Sequence, residues 1–259
     1  MVAVSTADPA IVTSTGPGER AHTRRWRLAV TLGAIVLILG AVNVFHHLGV
    51  AYLGLALGPV VAAVLLIIAR RHGLSWDDLG LSRRACLRGA AYAGGAVALV
   101  AAVYGAAVAI PLTRAAFLDD RYRLAPGSAL MTALVVIPIG TILLEEVAFR
   151  GVLFGLLKRH RNAAWASGIS SALFGLWHIV PSLGLAGDNA AAGAVFGRGA
   201  GAQTAVIVFV VAFTAVAGAL MCELRRRSGS LLASAGLHWA TNGLGVLLAA
   251  TVWTLASHH

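Results

Sequence analysis

The stretch Leu143-Leu144-Glu145-Glu146-Val147-Ala148-Phe149-Arg150 sets two carboxylates and a guanidinium directly after residues 129–143, in which nothing is charged. A charge at the centre of a bilayer costs roughly 3 to more than 10 kcal/mol, so ionisable groups at membrane depth usually face a protein interior and serve a function. The alternative is an ordinary helix end at the membrane surface, and the rest of the chain has to decide between the two.

Of the 259 residues, 59% are hydrophobic and 12% charged, against roughly 25% charged in a soluble domain. This is the composition of an integral membrane protein. The formal charge of +10 comes from arginines clustered between apolar runs, where they act as orientation signals, so no nucleic-acid partner is expected. Cys86 and Cys222 lie far apart beside arginines and suggest neither a disulfide framework nor a zinc motif.

A spanning helix needs about 20 mainly apolar residues, because unpaired backbone groups cannot be left in lipid. Seven stretches qualify, near 28–47, 50–69, 89–112, 128–148, 162–180, 202–222 and 230–256, and an eighth, amphipathic helix fits 149–160. The expected fold is all-α, a polytopic membrane protein of seven to eight transmembrane helices. Residues 1–27 are too poor in apolar side chains to order themselves and are expected to be a disordered cytoplasmic tail. Residues 28–127 then hold the N-terminal transmembrane helices, the first two forming a tight hairpin, and an interfacial loop.

Arginine clusters at 20–27, 70–88, 158–161 and 225–227 all fall on one side if the N-terminus is cytoplasmic, which gives a multi-pass protein of the cell membrane. The loop 70–84 mixes Trp76 and leucines with charge and suits either the membrane interface or a solvated connector. The Gly- and Ala-rich loop 181–201 reads as mobile external chain without chemistry.

Five ionisable groups remain at membrane depth: Glu145, Glu146, Arg150, His178 and His238. Glu146 and Arg150 are four apart with the acid first, the better order for a helical ion pair, and Glu145 projects about 100° away. In "SALFGLWHIVPS" (171–182), Phe174 and His178 share a helix face; a lone histidine there is more often a packing residue. In "GSLLASAGLHWATNGLG" (229–245), His238 and Asn242 also share a face and could be interhelical glue. Together the three segments offer a carboxylate, two imidazoles and an amide from three helices, the inventory of a reaction centre.

In this order, E-E-x-x-x-R at 145–150, F-x-x-x-H at 174–178 and H-x-x-x-N at 238–242 resemble the three motifs of the CAAX prenyl protease and bacteriocin-processing (CPBP, or Abi) family of intramembrane proteases. The resemblance covers about 128–245, and "GLSWDDLGL" (73–81) is similar to an upstream interfacial segment of that family. It implies a CAAX-protease-like bundle with the catalytic membrane domain at 128–257. It also implies an endopeptidase acting on a membrane-associated peptide, such as a prenylated CAAX end or a bacteriocin leader. By resemblance, Glu145 is the general base and shares a water with His178, His238 and Asn242 stabilise the oxyanion, and Glu146, Arg150 and Phe174 support them. Glu145, His178 and His238 would be the ligands if a zinc ion takes part, and a metal-free glutamate mechanism stays open beside it. The implied partners are membrane lipid and a peptide substrate.

Two other classes remain: a non-catalytic scaffold or bacteriocin self-immunity protein of the same fold, and a proton-coupled transporter, disfavoured by the absence of inverted repeats. One difficulty stands in the span count itself. Simple spans put Glu145 near the cytoplasmic end of its helix and His178 near the outer end of the next, at opposite depths.

Overall fold

The computed structural model describes residues 17–47 and 53–256. It divides into two compact units, Met1–Ile38 and Leu39–His259. The described part of the first lies in helix α1, Pro17–His47. The stretch 17–27 is therefore helical where an unordered tail was expected: extending an existing helix avoids the costly nucleation step, so arginine-rich sequence can follow an apolar helix into it. Residues 1–16, and the hairpin turn expected near 48–50, lie outside the described residues.

In the second unit the helices are α2 (Leu53–Arg71), α3 (Trp76–Leu79), α4 (Cys86–Ala109), α5 (Pro126–His160), α6 (Ala163–Trp177), α7 (Ala200–Ser228) and α8 (Leu231–Ala256). The chain is an all-α, multi-pass membrane protein. Among the described residues five helices are long and apolar enough to cross a membrane, or six if α6 and Val180–Asp188, bent by 42°, form one broken span. That is fewer than the seven or eight expected. Helix α2 is not among the five, and the amphipathic segment 149–160 is no separate helix but the last third of α5.

Helix α5 is 35 residues long, about 52 Å at 1.5 Å per residue, against a hydrocarbon core of about 30 Å. Its second half cannot lie in lipid, and every residue from Leu144 to Leu157 is buried in protein. Pro138 interrupts the ordinary bonding, and the backbone bonds i→i+5 over Thr132–Ile142 and Glu146–Leu153. The depth difficulty disappears in this geometry. Because the chain turns at Arg161–Asn162 from α5 straight into α6, Glu145 and the end of α6 stand almost equally far from the turn and meet at one level.

Small residues let the helices approach closely. A Cβ on Gly175 would come within 2.6 Å of Val211 O in α7, and one on Gly236 would overlap Ala93 in α4. At the arginine-rich end, α3 is docked and not merely a solvated connector. Ser75 and Asp78 form a capping box, Leu74 and Leu79 are fully buried, and Arg225 Nη2 donates to Asp77 O at 3.1 Å and Asp78 O at 2.9 Å.

At the other end, the loop expected to be mobile carries helices Leu185–Asp188 and Ala190–Phe196. Its order comes from pairing with the facing loop: Asn189 bridges Asp119 in antiparallel fashion, and its Nδ2 donates to Ala116 O at 3.1 Å and Asp119 Oδ2 at 3.3 Å. Asp119 is also held by Arg121, whose Nε and Nη2 reach its carboxylate at 2.9 and 2.7 Å.

Candidate active site

A cavity of about 800 Å³ lies among α4 to α8 and the end of α1, and Glu145, His178 and Asn242 line it together. Each comes from a different segment, and α5, the end of α6 and α8 bring them to one space. Glu145 is 5% exposed. Its Oε1 accepts a hydrogen bond from Trp177 Nε1 at 2.9 Å, whereas its Oε2 has no hydrogen-bond partner and stands 3.6 Å from His238 Nε2.

Behind this carboxylate lies a compact charged cluster. Glu146 Oε1 is 3.1 Å from Arg150 Nη1 and 2.9 Å from His238 Nδ1. Arg150 is fully buried; its guanidinium sits 3.8 Å from the centre of the Phe174 ring, and its Nη2 points at Met221 Sδ at 2.9 Å. A buried cation tolerates such a site because carboxylate, aromatic face and thioether all offer it negative density. Phe174 is the hub: the rings of His178 and His238 meet it edge-on at 4.6 and 5.8 Å.

His178 is half-buried, and its Nδ1 faces Phe174 O at 2.8 Å, which leaves Nε2 for the cavity it lines. Asn242 Oδ1 accepts from Thr241 Oγ1 at 3.4 Å, so its amide N–H groups remain for the cavity. His238 is placed differently from the sequence expectation. It does not line the cavity beside Asn242 but turns both ring nitrogens toward the two glutamates, because at i and i+4 the shared helix face is wide enough to serve two neighbours.

Two site residues carry no motif. Trp177, adjacent to His178, orients Glu145, and Asn43 Nδ2 donates to Trp177 O at 2.6 Å, fixing the end of α6. An asparagine within an apolar span was the available signal for the second; nothing local marks the first.

The segment holding Glu145, Glu146, Arg150, Phe174, His178, His238 and Asn242 matches the family model described as type II CAAX prenyl endopeptidase Rce1-like, over residues 127–244. This part of the chain is similar to that family. The Rce1-like segment runs from the start of α5 to the middle of α8, so α1 to α4 and the second half of α8 lie outside it. No curated protein and no solved structure matches the chain.

The zinc ligands expected in the Rce1-like segment, Glu145, His178 and His238, do not converge on one point. Both nitrogens of His238 are turned to carboxylates, and among the described residues no three His, Cys, Asp or Glu side chains are grouped to hold a metal ion. As arranged they do not fit a resident cation.

Proposed function

We propose that the protein is an intramembrane endopeptidase in which Glu145 activates a water against a peptide carbonyl. The observation that carries this reading is the unpartnered Oε2 of a buried glutamate at a cavity also lined by His178 and Asn242. Glu145 Oε2 takes a proton from the water as its oxygen adds to the carbonyl carbon; Trp177 keeps Oε1 occupied, which leaves Oε2 as the basic oxygen. His178 Nε2 holds the same water from the α6 side. The carbonyl oxygen, becoming an oxyanion, accepts from the Asn242 amide. Collapse breaks the C–N bond, and the proton held by Glu145 passes to the leaving nitrogen, giving an amine and a carboxylic acid, which ionises by losing its proton to water.

Glu146, Arg150 and Phe174 act at one remove. They fix His238, whose Nε2 beside Glu145 Oε2 holds that carboxylate in place. The substrate class is a membrane-associated peptide, CAAX-like or leader-like, which the apolar flank of the cavity at Ile137, Val246 and Ala249 suits.

The test is peptide profiling of membranes containing wild-type protein or Glu145→Gln. Peptides shortened only with wild type support the proposal. Identical profiles, with both proteins equally abundant, would favour the non-catalytic scaffold or self-immunity reading.

A further inference from the structure

As water adds to a peptide carbonyl, negative charge develops on its oxygen, and a site shielded from solvent stabilises that charge with donors already in place. The Asn242 amide is one such donor. A second must lie in the same cavity and not be spent on the protein itself. On the long helices most hydroxyls of the wall are spent: Tyr104 donates to Thr241 O at 3.2 Å, Thr214 to Val210 O at 2.7 Å and Thr241 to His238 O at 2.9 Å. Tyr122 stands farther off, against the cluster of Ile137 and Val246.

Thr141 is the exception. A threonine within an α-helix folds its hydroxyl back on the carbonyl four residues earlier, as Thr204, Thr214, Thr251 and Thr254 do at 2.7–3.0 Å. Thr141 lies in Thr132–Ile142, where the backbone around Pro138 bonds i→i+5. That winding moves the carbonyl away from its α-helical place, and such turns recur at functional sites. Among the described residues the Thr141 hydroxyl donates no hydrogen bond, and it lines the cavity. It can therefore serve a reactant without breaking a bond of its own.

The antiparallel packing of α5 on α8 sets its height. Glu145 Oε2 meets His238 Nε2 at 3.6 Å, and eight residues farther along each helix Ile137 and Val246 share one buried cluster. Thr141 and Asn242 stand midway, four residues from either pair, and so at one level. Both face the cavity, Thr141 from α5 and Asn242 from α8.

We infer that Thr141 is a second oxyanion donor, acting across the cavity from the Asn242 amide. Resting on the protease reading, the role is this: when the water oxygen bonds to the carbonyl carbon, the C=O electron pair moves onto oxygen, which accepts from Thr141 Oγ1–H while that hydroxyl keeps its proton. When the C–N bond breaks, the pair returns to the carbonyl and the hydroxyl is released.

The test compares Thr141→Val, which keeps the shape and removes the hydroxyl, with Thr141→Ser, which keeps the hydroxyl, on a peptide that the wild-type protein cuts. Thr141→Val is expected to lower kcat by about 10²–10³-fold with KM unchanged, and Thr141→Ser to recover most of the loss. Both should keep the wild-type Tm in detergent, since no bond within the protein is removed. A phosphinic analogue of the same peptide, whose anionic oxygens stand in for the oxyanion, should bind Thr141→Val more weakly in proportion to the fall in kcat; a purely structural hydroxyl would not produce that match. Wild-type kcat in Thr141→Val, equal impairment in Thr141→Ser, or a raised KM with kcat intact would overturn the inference. A wild-type protein that neither cuts a peptide nor binds the analogue would sink the protease reading, and this role with it.

Discussion

Trp177 Nε1 donates to Glu145 Oε1 at 2.9 Å, tying the last residue of α6 to the acid in the middle of α5. A carboxylate in a buried site is free to rotate unless one oxygen is held, and this bond holds one of the two. Trp177→Phe keeps an aromatic ring and removes the donor, leaving a buried acceptor unpaired at a cost of about 1–3 kcal/mol. The expected result is a fall in kcat with KM unchanged on a cleavable peptide, in a protein that still accumulates in membranes. Unaltered kcat would show that the indole has no positioning role.

Glu145→Gln conserves size and removes basicity. Peptide cleavage should fall by roughly 10²–10⁴-fold, the range for losing a general base, while detergent stability stays near wild type. Asn242→Ala should lose about 10²–10³-fold, the effect of one oxyanion donor. Full cleavage by Glu145→Gln would remove Glu145 from the chemistry.

Arg150→Ala should behave as a folding defect first. It strips Glu146 of its fully buried counter-charge, and breaking such a pair costs about 3–5 kcal/mol. Lower yield in membranes and a lower Tm in detergent are expected along with lost activity. The double variant Glu146→Gln, Arg150→Met should recover part of the Tm without recovering cleavage, since Glu146 also holds His238. A Tm unchanged in Arg150→Ala would contradict the role given to the pair.

The paired outer loops should open only in acid. Burial raises the carboxyl of Asp119, but the hydrogen bonds and charge of Arg121, with Asn189 and the Arg121 backbone, outweigh it and hold it below its ordinary value. A carboxyl depressed in the folded state stabilises above its unfolded pKa, about 3.9, and that contribution is lost as pH falls through the lower folded value. Hydrogen exchange of residues 181–199 should therefore show no opening of the loops between pH 7 and 5 and opening only below about pH 4. Opening near pH 6 would mean that another group controls the loops.

Docking of α3 should depend on Gly80. Its φ of 75° is left-handed, and a Cβ there would overlap the Arg225 guanidinium that caps α3. Gly80→Ala is expected to expose the 72–82 segment to limited proteolysis, whereas Ala substitution at the exposed Asp77 should not.

The amino-acid sequence by itself determined that this chain is an all-α membrane protein, because apolar runs without breaks have only one way to satisfy their backbone in lipid. It also picked out Glu145, Glu146, Arg150, Phe174, His178, His238 and Asn242, because charge and amide are costly at membrane depth wherever they occur. The Glu146–Arg150 pair was legible from its i, i+4 spacing alone. What lay beyond reach was any relation between helices. That Glu145 and Trp177 stand level depends on how the second half of α5 is wrapped by α3, α6, α7 and α8. That His238 turns to the glutamates and away from Asn242, and that loop 181–201 is ordered by Asp119 and Asn189 and walls the cavity, rests on contacts between residues about 70 or more positions apart. Spacing along the chain fixes which side chains share a helix face; only packing decides which neighbour that face meets.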